Sequence, residues 1–129
     1  MLQQIEEHDG VVILTINLRN NIDVAFNRRT YAIIAFPFPD EQHRARIWQS
    51  LFPNQLPVDE SIDYSFLAKQ FKLTGGYIKN IGLCAAFLSA ADGQCLSMRH
   101  LIFAAKREFQ KLNQPCTEAN FGKYFELIK

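Results

Sequence analysis

Several residue types are scarce in this sequence, and each scarcity closes off a class of protein. Among 129 residues there are three Cys, at positions 84, 95 and 116. Their number is odd, their spacing is not C-x-x-C, and no His follows at zinc spacing, so neither a disulfide framework nor a metal site is expected. Reduced thiols are expected instead, with Cys84 placed in the core of an apolar helix. His8, His43 and His100 lie far apart and are assigned packing or surface roles. No apolar run approaches the ~20 residues of a membrane span. Gln3, Gln4, Glu6 and Glu7 stand where a secretory leader would place basic and then apolar residues, so a soluble, cytoplasmic protein is expected. Charge of one sign is lacking too. Fourteen Lys and Arg against thirteen Asp and Glu give a formal net charge of +1, which argues against a nucleic-acid partner.

What is present is an ordinary globular composition, 48% hydrophobic and 21% charged, with a high count of eleven Phe. Such a chain forms one small domain or a domain fragment, and the Phe content points to aromatic packing between helices. Residues 3–8 read as the tail of a helix that Asp9-Gly10 breaks. Residues 11–16 (VVILTI) are continuously apolar and β-branched, which predicts a strand buried on both faces. Residues 22–29 read as a short helix with Asn21 as a possible cap. Residues 31–36 (YAIIAF) form a second strand candidate, ended by Pro37 and Pro39. Asp40 then caps a helix to about Phe52, with Ile47, Trp48, Leu51 and Phe52 on one stripe.

Residues 53–60 (PNQLPVDE) are a proline-containing linker, and everything after it reads as helix. Asp63 caps residues 64–71. Thr74 caps a helix from Gly75-Gly76 to about Ala91, which Asp92-Gly93 stops. Ser97 caps residues 98–112, with Leu96 and Leu101 placed as a hydrophobic staple. Thr117 caps a last helix through Phe121, Phe125 and Ile128. The order strand, helix, strand, helix and then four helices predicts an α/β part over residues 1–54 and a four-helix unit over 55–129.

The segment from Thr15 to Arg29 (TINLRNNIDVAFNRR) is the most informative. It resembles the second region of homology of AAA-family ATPases, with Asn17, Ile22, Asp23, Ala25, Phe26, Arg28 and Arg29 at matching spacing. Ile16 departs from the Thr that commonly precedes the Asn. FPFPD, at 36–40, is similar to the exit from the fifth strand of these ATPases. TGGYIKNI, at 74–81, resembles the start of their lid-domain helix. The three segments occur in the family's order over residues 11–128. The resemblance implies the rear of a P-loop AAA core followed by an all-α lid.

It also implies roles. Asn17, at the end of a strand, would sense the γ-phosphate or hold the attacking water; otherwise it is a turn residue. Arg28 and Arg29 would act as arginine fingers on a neighbouring subunit's nucleotide, because a guanidinium forks onto phosphate oxygens. Otherwise they are a solvated basic pair at a helix end. Gly75 and Gly76 would let backbone approach the adenine and ribose, or they form a tight loop. Lys79 stands near the position of a sensor-2 arginine, or on an exposed helix face. The implied cofactor is ATP, with Mg²⁺ only in a complete module. The implied partners are further copies in a hexameric ring and a protein substrate.

Two pieces of the family's chemistry are missing from the sequence. It contains no G-x-x-x-x-G-K-[ST]; Gly122-Lys123 is followed by Tyr124. No apolar strand candidate ends in Asp-Glu to bind Mg²⁺. The expectation is therefore a fragment, or the product of a split or truncated gene, that does not hydrolyse ATP by itself. The alternative is a non-catalytic protein-interaction module derived from an AAA lid.

Overall fold

The computed structural model describes residues 9–16, 28 and 30–129. It divides into two units, Met1–Phe36 and Pro37–Lys129.

In the first unit the described residues form neither helix nor strand. The strands expected over 11–16 and 31–36 are not realised. Both runs leave their side chains in solvent, Val11, Ile13, Tyr31 and Phe36 among them. An apolar run records a tendency to be buried, whereas a strand also needs a neighbouring backbone about 4.8 Å away to satisfy its N–H and C=O groups. The described residues supply neither run with such a neighbour. The helices expected over 3–8 and 22–29 lie outside the described residues, apart from Arg28, which stands in an exposed turn.

The second unit is helical. It comprises α1 (Glu41–Ser50), α2 (Tyr64–Gln70), α3 (Gly75–Asp92), α4 (Met98–Lys111), a single turn α5 (Glu118–Phe121) and a 3₁₀ segment, Gly122–Leu127. Because the unit starts at Pro37, α1 packs with the helices that follow it, although the sequence pattern grouped it with residues 1–54. Asp40 caps α1 by accepting from the His43 N–H at 2.8 Å. On the buried side of α1, Trp48 is fully enclosed. Arg44 is buried as well, and its guanidinium is a tether. Nε donates to the Ala68 carbonyl at 2.8 Å and Nη1 to the Pro39 carbonyl at 2.7 Å. Those two bonds fasten α1 to the end of α2 and to the segment that enters α1.

Asp63 caps α2, accepting from the Phe66 N–H at 3.0 Å. Just past α2, Phe71 is fully buried at the centre of an aromatic cluster. Its ring meets Phe66, Phe109 and Phe121 edge-on, at centroid distances of 6.3, 5.7 and 5.4 Å. These separations are those that the ring quadrupole favours.

Gly93 ends α3 with φ +67°, a left-handed conformation in which glycine carries no Cβ penalty. Gly82, in mid-helix, lets α3 come close to the end of α1: a Cβ there would lie 2.8 Å from Leu51 Cδ1. The proline-containing linker is anchored. The Leu96 N–H donates to the Pro57 carbonyl at 2.9 Å and the Asp59 N–H to the Leu96 carbonyl at 2.8 Å, around a parallel bridge between Val58 and Leu96. That bridge is the sole β pairing among the described residues. At the start of α4, the Ser97 N–H donates to His100 Nδ1 at 3.1 Å. Nδ1 is thereby an acceptor, which puts the ring proton on Nε2, and Nε2 donates to Asp92 Oδ2 at 2.7 Å. Leu96 and Leu101, the expected staple pair, are both fully buried.

The last helix is shorter than its apolar pattern predicts. Gly122 has φ +54°, and a Cβ there would sit 3.1 Å from Phe66, so the chain turns after one helical turn and continues as 3₁₀. Among the described residues no helix is long and apolar enough to cross a membrane.

The aromatic cluster makes a direct prediction. Phe71→Ala should lower the unfolding free energy by about 3–5 kcal/mol, the cost of a large cavity in a packed core. Phe87→Ala, on the exposed side of α3, should change it by less than about 0.5 kcal/mol. Chemical denaturation of the two variants measures both.

Candidate functional site

Of the residues that the sequence singled out, the structure brings three together. Gly75 and Gly76 open α3, and Lys79 follows one turn later. Arg28 is exposed in the first unit, while Asn17 and Arg29 lie outside the described residues. Asp23, on the same segment, lies outside them as well.

The start of α3 has a feature that sets it apart from α1 and α2. Thr74 is its N-cap, with φ −71° and ψ 162°, yet the Thr74 side chain makes no capping hydrogen bond. Asp40 and Asp63 both make one. The first N–H groups of a helix lack intrahelical partners and carry the positive end of the helix dipole. At α3 these groups are left open to a ligand or to water. Gly76 is open too: a Cβ on it would meet nothing within 4 Å. Gly75 faces inward, where a Cβ would touch Ile47 Cδ1 at 3.8 Å. Lys79, one turn further on, is exposed and has no ion-pair partner among the described residues.

Ile47 also lines a concave surface of about 760 Å³ along the outer side of α1, together with Phe38, Pro39, His43, Arg46 and Ser50. Its volume is within the range of small-molecule sites. Phe38 contributes an aromatic ring to this lining and Arg46 a cationic side chain. Asp40 also lines it, with its carboxyl held below the usual value, first by the His43 backbone N–H and then by the His43 side chain. His43 Nδ1 lies 2.7 Å from Asp40 Oδ1.

Among the described residues no group of three or more His, Cys, Asp and Glu is placed to hold a metal ion. The three thiols are free, and Cys84, expected in the core, is half-buried.

Two interactions escaped the sequence reading. Arg44 lies four residues before Trp48, on the buried side of α1, and that spacing was the available signal for its tether. His100 stands three residues after Ser97, where a capping box ordinarily has Glu or Gln, so its pattern pointed to surface or packing rather than to a cap.

The geometry gives two predictions. Gly76→Ala should leave stability unchanged or raise it by up to about 1 kcal/mol, since the methyl enters open space and Ala is the better helix former. Thermal unfolding tests this. Asp40 stabilises α1 more strongly as the carboxylate, and that extra part depends on pH. That part should be complete above the ordinary carboxyl value of 3.8 and should disappear as pH falls through the lowered folded-state value. The gap in unfolding midpoint between the protein and Asp40→Ala should therefore be constant near neutrality and narrow in acid.

Compared with family models, with curated proteins and with solved structures, the chain finds no match in any of the three.

Proposed function

We propose that the chain is the C-terminal part of an AAA-family ATPase module, carrying the second region of homology and the helical lid. In a complete module it would couple ATP binding and hydrolysis in a hexameric, cytoplasmic ring to the remodelling of a protein substrate. The observation that carries this reading is the occurrence, in the family's order, of residues 15–29, 36–40 and 74–81. The start of α3 is compatible with it. The first-turn N–H groups are not taken up by a capping side chain, Gly76 admits close approach, and Lys79 is exposed one turn away. Those groups suit the lid side of a nucleotide, where backbone N–H donors and a cation meet an anion.

In this reading ATP supplies the phosphoryl group. Asn17 orders the attacking water, and Arg28 and Arg29 reach the nucleotide of the adjacent subunit, where they offset charge that develops in transfer. Lys79 contacts the phosphates from the lid. Mg²⁺ and the phosphate cradle belong to parts of the module that this sequence does not contain.

The alternative, a non-catalytic protein-interaction module, is favoured by one specific observation. The solvent side of α3 exposes Leu83 and Phe87.

The purified chain should show no ATP turnover and should bind ATP weakly. Steady turnover that Asn17→Ala abolishes would overturn the proposal that it is inactive alone. With a phosphate-loop segment fused ahead of residue 1, Arg28→Ala and Arg29→Ala should retain ATP binding. Their turnover should fall about 10³-fold or more. Near-normal turnover in both would leave a surface basic pair, and the interaction module would be the better reading.

A further inference from the structure

Helix α3 departs from the pattern of a surface helix. It is 18 residues long and has only two charged side chains, Lys79 and Asp92. One side is packed into the bundle through Ile78, Ile81 and Ala85. The opposite side carries Gly76, Lys79, Asn80, Leu83, Phe87 and Ala90, all of them exposed. These follow the three-to-four residue spacing of a single face. Leu83 is 57% exposed and Phe87 68%. A helix that is apolar on all sides is normally covered on all sides. By contrast, α4 is strongly amphipathic and presents charged groups to solvent.

Between this face and α4 runs a groove of about 460 Å³, with Leu83, Phe87 and Leu88 on one wall and Ala104, Arg107 and Lys111 on the other. Its charged lining residues are Arg107, Glu108 and Lys111, and Lys79 stands one turn before Leu83 on the exposed face of α3. Glu108 is buried and accepts from Asn80 Nδ2 and Lys111 Nζ, each at 3.3 Å. Lys79 and Arg107 have no ion-pair partner among the described residues.

We infer that the groove between α3 and α4 is a docking site for an acidic amphipathic helix of another protein. The partner's apolar face would cover Leu83 and Phe87, and its carboxylates would lie against Lys79 and Arg107. The groove's wall on α3 runs from Asn80 to Leu88, about 12 Å or some two helical turns. A helix laid into an apolar groove anchors through residues at i, i+3, i+4 and i+7, and Leu83 and Phe87 are spaced to receive such anchors. A second copy of the same hairpin is a poor occupant, because it would bring the same excess of positive charge to the contact. The inference shares Lys79 with the proposed nucleotide contacts and uses none of the others.

The test uses the full chain and two synthetic 14-residue helical peptides. They share one apolar face and differ in having Glu or Lys at every flanking position. The Glu peptide should perturb the amide resonances of residues 79–91 and 104–111. It should bind at least about tenfold more tightly than the Lys peptide at low salt, with the margin narrowing as salt is added. Leu83→Ser and Phe87→Ser should each weaken it about tenfold, and Arg107→Glu should reduce its advantage over the Lys peptide. The unfolding midpoints of these variants should stay unchanged, because the substituted side chains are exposed. Equal binding of the two peptides, or no perturbation of α3 and α4 at millimolar Glu peptide, would overturn the inference. So would a chain that self-associates and becomes monomeric on Phe87→Ser, which would assign the face to a second copy.

Discussion

Phe71 follows directly on the seven-residue helix α2 and is enclosed by rings from α2, α4 and the C-terminal turn. Short helices are unstable in isolation, since nucleation fixes several dihedral angles for one hydrogen bond. A helix of two turns and another of one turn therefore depend on burial to exist. Phe71 provides it for both. It brings Phe121 against Phe109, with centroids 5.2 Å apart, and thereby holds α5 on the bundle. Arg44 fixes the other side of the same junction by donating to the last turn of α2 at Ala68. The bundle is thus organised around the exit from its second helix, and α1 and α5 dock on it from opposite ends of the sequence.

The helical half was readable because its signals are local. Asp40, Asp63, Thr74, Ser97 and Thr117 all stand at helix starts, and Gly93 stands at a stop, where side-chain chemistry and φ decide the outcome within a few residues. The final helix was overestimated because its apolar spacing continues past Gly122, while the close approach of Phe66 to that glycine is a tertiary fact. Residues 11–16 and 31–36 show the converse error. Their apolarity is intense, but pairing is a property of two segments together, and one sequence window does not contain it. The anchoring of residues 57–59 on Leu96 was illegible for the same reason. Two prolines in eight residues read as a spacer, while the carbonyl of one of them accepts a hydrogen bond from across the bundle.

The site was legible unevenly. Gly75, Gly76 and Lys79 were found from a short motif, and they fall together because the start of one helix necessarily collects neighbours in sequence. Asn17, Arg28 and Arg29 belong to a motif whose meaning depends on a second subunit and on a phosphate-binding element, and no helix periodicity can supply those. The exposed side of α3 was invisible for a further reason. Ile78, Ile81 and Ala85 identify a buried face, but nothing in the spacing of Leu83 and Phe87 tells which apolar residues the rest of the bundle will leave uncovered. That is decided by how much surface α1, α2 and α4 have to offer.

The two ends of α3 are held in different ways. At its far end, Gly93, the His100–Asp92 bond and the pairing of Leu96 with residues 57–59 gather three stretches of backbone into one clasp. At its near end, Thr74 leaves the first turn without a side-chain cap. The near end is held by packing instead, with Ile78 fully buried and Gly75 against Ile47. Apolar contact has no preferred direction, whereas the hydrogen bonds of the clasp do. The helix is thus oriented by its far end and pressed into place by its near one.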